Sequence, residues 1–234
     1  MNFSVVIPAH NEENSIEEVI RCLEQGVKGN YEILVVDDHS SDKTVQIVKK
    51  LASEYNNISL VPNKEEAGFA NAIRTGFSNA RTDIVVPVMA DLCDDPNIIN
   101  KMYEKLLEEG FDIVCGSRYM KDGKKIGGPL LKSLFSKFYG ISLYFLLGIP
   151  THDIANAFKM YRKEVIDAIL LESKGFEILV ELPLKAFFLG YRITELPTIW
   201  RDRKEGRSKF RLFQQGLRYF RFYIWALKKK LDKC

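Results

Sequence analysis

Cysteine is scarce in this sequence of 234 residues: Cys22, Cys93, Cys115 and Cys234 stand far apart, with no Cys-x-x-Cys pair. That argues against a disulfide framework and a structural zinc site, and points to reduced thiols in a cytosolic chain. Long apolar runs are missing as well. The longest stretch without a charged side chain, Phe138–Thr151, holds two glycines and a proline. A bilayer crossing takes about 18–20 consecutive apolar residues, so no transmembrane helix is expected. The opening MNFSVVIPAHNEE lacks a basic n-region and turns polar after seven residues, which argues against a signal peptide or an N-terminal anchor. Neither Gly-x-x-x-x-Gly-Lys-Ser/Thr nor, after the first apolar run, Gly-x-Gly-x-x-Gly is present. The P-loop and dinucleotide-binding folds are therefore excluded. Internal repeats and low-complexity linkers are absent too.

What is present is an ordinary folded composition, 46% hydrophobic and 28% charged, in a length that suits one continuous domain. The net charge of +3 conceals a division. Residues 1–200 carry 22 basic and 28 acidic side chains, net −6, whereas residues 201–234 carry 12 and 3, net +9.

Apolar runs alternate with helical periodicity. Strands are expected at Phe3–Ile7, Glu32–Val36, Ile58–Val61, Ile84–Met89 and Phe111–Cys115. Helices are expected from Asn14–Ser15, where Ser15 and Glu18 have capping-box spacing, and over Thr44–Tyr55, Phe69–Ala80 and Asn97–Glu109. After a glycine- and lysine-rich loop, Lys121–Gly128, come helices at Leu130–Leu147, Phe176–Leu189 and Ser208–Leu231, with a strand at Tyr191–Trp200. Strands that are apolar throughout and alternate with helices predict an α/β fold, its mostly parallel central sheet covered by helices on both faces. Ligands of such sheets sit at the carboxyl ends of the strands. Three of those ends are polar: Pro8-Ala-His-Asn-Glu12, Asp37-Asp38-His39-Ser40 and Asp91-Leu-Cys-Asp94-Asp95.

Strand-end carboxylates can accept hydrogen bonds from a nucleobase or ribose, and several together can hold a hard divalent cation. Asp91, Asp94 and Asp95 suit the second task. Asp94 or Asp95, standing before Pro96-Asn97, also suits the start of a helix, and for Asp95 both readings stay open.

The segments VVIPAHNEENSI, EILVVDDHSSDKT, AGFANAIRTGF, VMADLCDDP, IVCGSRY, DIANAFKMYRKEV and ITELPTIWRDRKEGRSKF resemble, in order and spacing, the family 2 glycosyltransferases. Within them the chain is most similar to polyprenyl-phosphate sugar synthases of the dolichyl-phosphate mannose synthase type. The resemblance implies the GT-A nucleotide-diphospho-sugar transferase fold over residues 1–207. It leaves 208–234 as a basic amphipathic helix, either part of the same domain or interfacial at a membrane. It implies a GDP-mannose or UDP-sugar donor and a polyprenyl or dolichyl phosphate acceptor. Pro8, His10, Glu12 and Asp38 match the family's nucleotide contacts, and Asp91 matches the second Asp of its Asp-x-Asp metal motif. Arg118, with Arg203, Ser208 and Lys209, resembles the groups that bind diphosphate and acceptor phosphate. Lys132 and Lys137 fall where relatives have cations near the acceptor, and Asp153 falls at a position that is usually acidic.

One departure stands out: Met89-Ala90-Asp91 replaces Asp-Ala-Asp, and the next ligand position is Cys93. A thioether is a poor ligand for Mg²⁺ or Mn²⁺, so three readings stay open: Asp94 joins Asp91 in holding the ion, Asp91 alone holds it through the substrate diphosphate, or metal dependence is weakened. A phosphate acceptor is already an anion near neutral pH, so attack on the sugar C1 needs no strong base. Single displacement would invert the anomeric centre, with Asp91, Arg118 and Asp153 as catalytic candidates. A saccharide or protein hydroxyl acceptor would instead need a base, Asp153 or Asp94. A catalytically weak nucleotide-sugar-binding subunit is the third reading. Leu130–Leu147, with Lys132 and Lys137 among Leu, Phe and Tyr, and the basic, aromatic-striped end of the chain suit peripheral contact with an anionic membrane. The place of work is then the cytoplasm or the cytoplasmic face of a membrane, and nucleic acid is not an expected partner.

Overall fold

A computed structural model describes residues 2–202 and 212–232 of the chain. The first half runs β1 (Asn2–Ala9), α1 (Ile16–Gly26), β2 (Asn30–Asp37), α2 (Thr44–Glu54), β3 (Ile58–Pro62), α3 (Phe69–Asn79), β4 (Ile84–Pro87), α4 (Ile98–Glu108) and β5 (Ile113–Ser117). The second half runs β6 (Lys124–Ile126), α5 (Leu130–Leu147), β7 (Lys159–Arg162), α6 (Lys163–Asp167), α7 (Ile178–Leu189), β8 (Ile193–Pro197), β9 (Ile199–Arg201) and α8 (Leu212–Leu231). Seven strands form one sheet in the order β3-β2-β1-β4-β7-β5-β8, and β6 and β9 form a separate parallel pair. Only β7 runs antiparallel in the large sheet, between β4 and β5.

The apolar strands are buried on both faces because helices cover both. One face packs against Ile16, Ile20 and Leu23 of α1, Val48 and Leu51 of α2, and Met102 and Leu106 of α4. The other packs against Ile73 and Phe77 of α3, Val165 of α6, and Ile178 and Leu182 of α7. A third cluster joins α5, α7 and α8 through Tyr139, Leu143, Val180, Leu184, Tyr219, Phe222 and Ala226. Wedged between two cores, α7 turns apolar faces to both, and its two charged side chains, Glu181 and Lys185, pair with each other at 2.6 Å.

Helix α7 contains Pro183. Lacking an N–H, Pro183 leaves the carbonyl of Leu179, four residues earlier, without its helical donor. The fully buried Lys159 of β7 supplies one: its ammonium donates to Leu179 O at 3.2 Å and also to Asn156 O. Desolvation pulls the Lys159 pKa down to about 8. Lys159→Met should therefore destabilise the fold by about 1–3 kcal/mol by stranding buried carbonyls. Pro183→Ala, which restores a donor for Leu179 O, should reduce that cost. Urea unfolding of the two single variants and the double variant measures the coupling, and simple additivity would contradict it.

The predicted elements depart from the structure at five places, one of them the short helix α6, which was not expected. The strand expected at Tyr191–Trp200 is two strands in two sheets. It breaks at Thr198, whose N–H bonds to Ser117 O and whose carbonyl accepts from Lys124 N. The glycine- and lysine-rich loop contains β6, and β7 was not expected at all: Lys-Met-Tyr-Arg has no strand-like alternation. The Ser15–Glu18 capping box does not form. Ser15 Oγ turns back to the Glu12 carboxylate, at 3.2 Å, and makes no cap bond.

Candidate active site

The carboxyl ends of β1, β2 and β4 open on the same edge of the sheet. Beyond β1, His10 Nδ1 lies 2.6 Å from Asp38 O, and Glu12 N donates to Thr44 Oγ1 at 2.8 Å. Asn11 Oδ1 accepts from Ser41 N at 2.8 Å, so the loops after β1 and β2 are tied together. Asp38 is buried, and its carboxylate accepts from Asn63 Nδ2 at 2.7 Å and from Gly68 N at 2.9 Å. It thereby fixes the loop that leads into α3. Asn11, His39 and Leu92, one beyond each of the three strands, have φ of +54°, +60° and +54°. Left-handed backbone at non-glycine residues is strained, and such strain clusters where a loop must aim side chains at a ligand.

Three adjoining cavities line this edge. One of about 220 Å³ has walls from Pro8, His10, Glu12, Asp38, Phe69 and Phe176. A second, about 200 Å³, lies beside Arg118, Lys125, Lys132, Phe135, Asn156 and Trp200. The largest, about 560 Å³, lies beside Glu12, Cys22, Asp94 and Arg201. Met89 and Phe176 face both the first and the second, while Asp91 and Asp94 face both the second and the third. The metal-motif loop thus stands where all three meet.

Within that loop Asp91 Oδ1 accepts the Cys93 N–H at 3.2 Å. Asp94 Oδ1 is buried and has no hydrogen-bond partner. Burial pushes the Asp94 carboxyl up to about 7; Arg118 opposes the shift and the charge of Asp91 adds to it. Asp95 shapes the turn ahead of α4: its Oδ1 accepts from Asn97 N at 3.0 Å and Nδ2 at 2.8 Å, while Asn97, at the helix cap, makes no side-chain cap bond. A buried carboxylate oxygen lacking a donor, next to a second carboxylate, fits a hard cation whose remaining ligands are substrate oxygens and water. Among the described residues no group of three or more His, Cys, Asp or Glu could hold a metal. Any ion here rests on Asp91 and Asp94, with the Met89 thioether alongside.

Arg118 follows β5 and grips Asp153 through both ends of its guanidinium, Nε to Oδ2 at 2.6 Å and Nη2 to Oδ1 at 2.8 Å. The Arg118 backbone N–H adds a third bond to Asp153 at 3.0 Å. Asp153 has no exposed surface. Expected as a base or reacting group, Asp153 is in this structure sealed against the Arg118 guanidinium and holds that side chain in place. The pair holds the Arg118 pKa above its ordinary value despite burial.

Lys132 reaches the second cavity from the first turn of α5, together with Ser136, which lies 2.6 Å from Tyr119 Oη. Lys137, also expected near an acceptor phosphate, does not join it. It lies on the outer face of α5 with Leu134, Phe138 and Ile141. Arg203, Ser208 and Lys209 lie outside the described residues. Lys125, with its ammonium 2.6 Å from Ser133 Oγ and 4.7 Å from the Trp200 ring centre, was not singled out in the sequence. Neither were Phe69, Phe176 and Asn156.

Helix α5 bears on the expectation that no helix crosses a membrane. Only two lysines interrupt its 18 residues, and by length and composition alone it could cross a membrane. Its inner face nonetheless belongs to the fold. Tyr139, Leu143 and Leu147 are buried, and a Cβ on Gly140 would come within 2.2 Å of His152 O. The outer face carries Leu130, Leu131, Phe138 and Phe145, each at least 70% exposed. On α8, Tyr219, Phe222 and Ala226 pack inward while Leu217 and Phe220 face outward beside Arg218 and Arg221.

A family model described as glycosyl transferase family 2 matches residues 4–170. The dolichol-phosphate mannosyltransferase of Pyrococcus furiosus is 33% identical over 96% of this chain, which spans 64% of that relative's length. The polyprenol monophosphomannose synthase of Mycolicibacterium smegmatis is 27% identical over 98% of this chain and 89% of its own. Among solved structures, the glucosyl-3-phosphoglycerate synthase of Mycobacterium tuberculosis, in complex with Mn²⁺, UDP and glucosyl-3-phosphoglycerate, has a TM-score of 0.72 at 23% identity. The match covers 98% of this chain and 79% of that one.

Proposed function

The chain belongs to glycosyl transferase family 2 and has its GT-A fold, and on that footing we propose that it moves a hexose from a nucleoside-diphosphate sugar to a polyprenyl phosphate. One observation carries this reading: a cavity beside Asp38 and a cation-lined cavity beside Arg118 meet at Met89 and Phe176, Asp91 faces the second, and that cavity begins the exposed apolar face of α5. The dolichol-phosphate mannosyltransferase and the polyprenol monophosphomannose synthase are both named for a polyprenyl-type lipid, which supports the same acceptor class.

In this reading Pro8, His10, Glu12 and Asp38 hold the nucleoside. Asp91 and Asp94 hold Mg²⁺ or Mn²⁺, which when bound neutralises charge on the diphosphate leaving group. Arg118, Lys125 and Lys132 receive the acceptor phosphate, with Arg203, Ser208 and Lys209 assigned to phosphates from the family pattern. An acceptor that is already ionised attacks C1 without a base, so the protein acts by alignment and fixed charge, and the anomeric centre inverts. Leu130, Leu131, Leu134 and Phe138 lie against the acyl boundary of a cytoplasmic membrane face, with Lys137 and the basic side chains of α8 toward its anionic headgroups. A second reading, transfer to a hydroxyl, draws on Asp94 as the base, since its carboxyl faces both the cavity beside Arg118 and the largest cavity.

The test is transfer of labelled sugar from GDP-mannose, UDP-glucose or UDP-GlcNAc to a polyprenyl phosphate in anionic vesicles with Mn²⁺, scored as label in the organic phase. Phe138→Glu should lower transfer to the vesicle acceptor about tenfold, the order of a large apolar side chain's burial energy, and spare a short water-soluble prenyl phosphate. Label reaching hydroxyl acceptors instead would favour the second reading. Donor binding without transfer to any acceptor would leave a binding subunit.

A further inference from the structure

We infer that Phe176 is a partition between the donor and acceptor cavities that keeps water from the reacting carbon, and that Tyr219 of α8 positions it. This rests on the transfer reading above. Phe176 lies two residues ahead of α7 and faces both the cavity beside Asp38 and the cavity beside Arg118. Its ring stacks on Phe69, the first residue of α3, with centres 4.3 Å apart and planes 17° from parallel. An aromatic pair thus walls the waist through which a donor's sugar must meet an acceptor phosphate.

The backbone at this point is held unusually firmly for a loop. Tyr219 Oη donates to Phe176 O at 2.9 Å, and Tyr139 Oη donates in turn to Tyr219 O at 3.0 Å. Glu177 Oε1 accepts from Lys174 N and Gly175 N, each at 3.1 Å, and Arg218 lies 3.7 Å from the same carboxylate. A Cβ on Gly175 would fall 2.7 Å from Arg218 Nη1, so α8 rests directly on the segment. The helix with an outward basic and apolar face therefore also sets the wall of the cleft.

The chemistry at stake is a competition between two nucleophiles. In transfer, an acceptor phosphate oxygen forms the bond to C1 as the bond from C1 to the diphosphate oxygen breaks. In hydrolysis, a water oxygen takes its place, one water proton passes to solvent, and the products are nucleoside diphosphate and free sugar. A water needs two to four polar partners to reside at a buried site, and a stacked Phe pair offers none. Phe176 is in this sense a specificity-determining residue, selecting phosphate over water.

The experiment compares nucleoside diphosphate released with sugar transferred, for wild type, Phe176→Ala, Phe176→Leu and Tyr219→Phe, using the full chain and the donor that wild type uses. Phe176→Ala should raise the ratio of hydrolysis to transfer about tenfold through loss of water exclusion. Phe176→Leu should raise it less. Tyr219→Phe keeps the ring and removes one bond, so it should shift the ratio in the same direction with an unaltered melting temperature. If folded Phe176→Leu and Tyr219→Phe keep the wild-type ratio while transfer and hydrolysis fall together, the partition is overturned and the transfer reading stands. A wild-type protein that neither transfers nor hydrolyses any donor overturns both.

Discussion

Asp91→Ala should lower sugar transfer by about 10²–10³-fold, the size of effect seen when a fixed charge-stabilising group is removed from an active site. Asp91 stands past the end of β4 and faces two of the three cavities. With methionine at 89, no carboxylate remains at the first motif position to share its work. Asp94→Asn, which keeps the shape and removes the charge, should weaken Mn²⁺ binding in the presence of nucleoside diphosphate by about 10–100-fold, the usual scale for disturbed metal sites. Electron paramagnetic resonance titration of free Mn²⁺ reads this without relying on turnover. Met89→Asp should tighten binding and lessen the harm done by Asp94→Asn. Full activity in Asp91→Ala, or unchanged Mn²⁺ affinity in Asp94→Asn, would contradict the assignment.

Arg118→Ala should destabilise the fold by about 3–5 kcal/mol, because removing one partner leaves a buried charge uncompensated. Asp153 has no exposed surface and takes three bonds from Arg118. Replacing both partners, as in Arg118→Met/Asp153→Leu, should recover most of that stability, since the desolvation cost of two ions is removed with their attraction. Transfer should not recover with it. Denaturant melts beside a transfer assay separate the two effects. A double variant no more stable than Arg118→Ala would show that Asp153 is held by something other than its charge pair.

Much of the scaffold was legible because it is written in local periodicity. The first five strands and the helices between them follow from apolar runs and helical periodicity within each segment, whereas their order in the sheet does not. What was hidden depends on distant partners. β7 exists because Met160 and Tyr161 meet Val114, Ile113 and Val85 across the sheet, and no alternation within four residues announces that. Asp153 is acidic in the sequence for all to see, yet only Arg118, 35 residues away, makes it a structural ion. Lys125 was hidden in a segment that reads as loop, and Phe176 in one that reads as an ordinary helix start. Lys137 misled for a geometric reason. Five residues separate it from Lys132, which at 3.6 residues per turn places the two on different sides of α5.

The antiparallel strand β7 also constrains the order in which the protein can be built. β1 to β4 can pair among themselves from the first 87 residues, whereas β5 pairs only with β7 and β8, both far downstream. During synthesis from the N-terminus, the half of the molecule beside Asp38 can therefore mature while β5 waits at an open edge. Arg118 meets its counter-ion only once residue 153 has emerged, so the side of the cleft lined by Arg118 takes shape after the Asp38 side and is completed by Trp200 and Tyr219, later still.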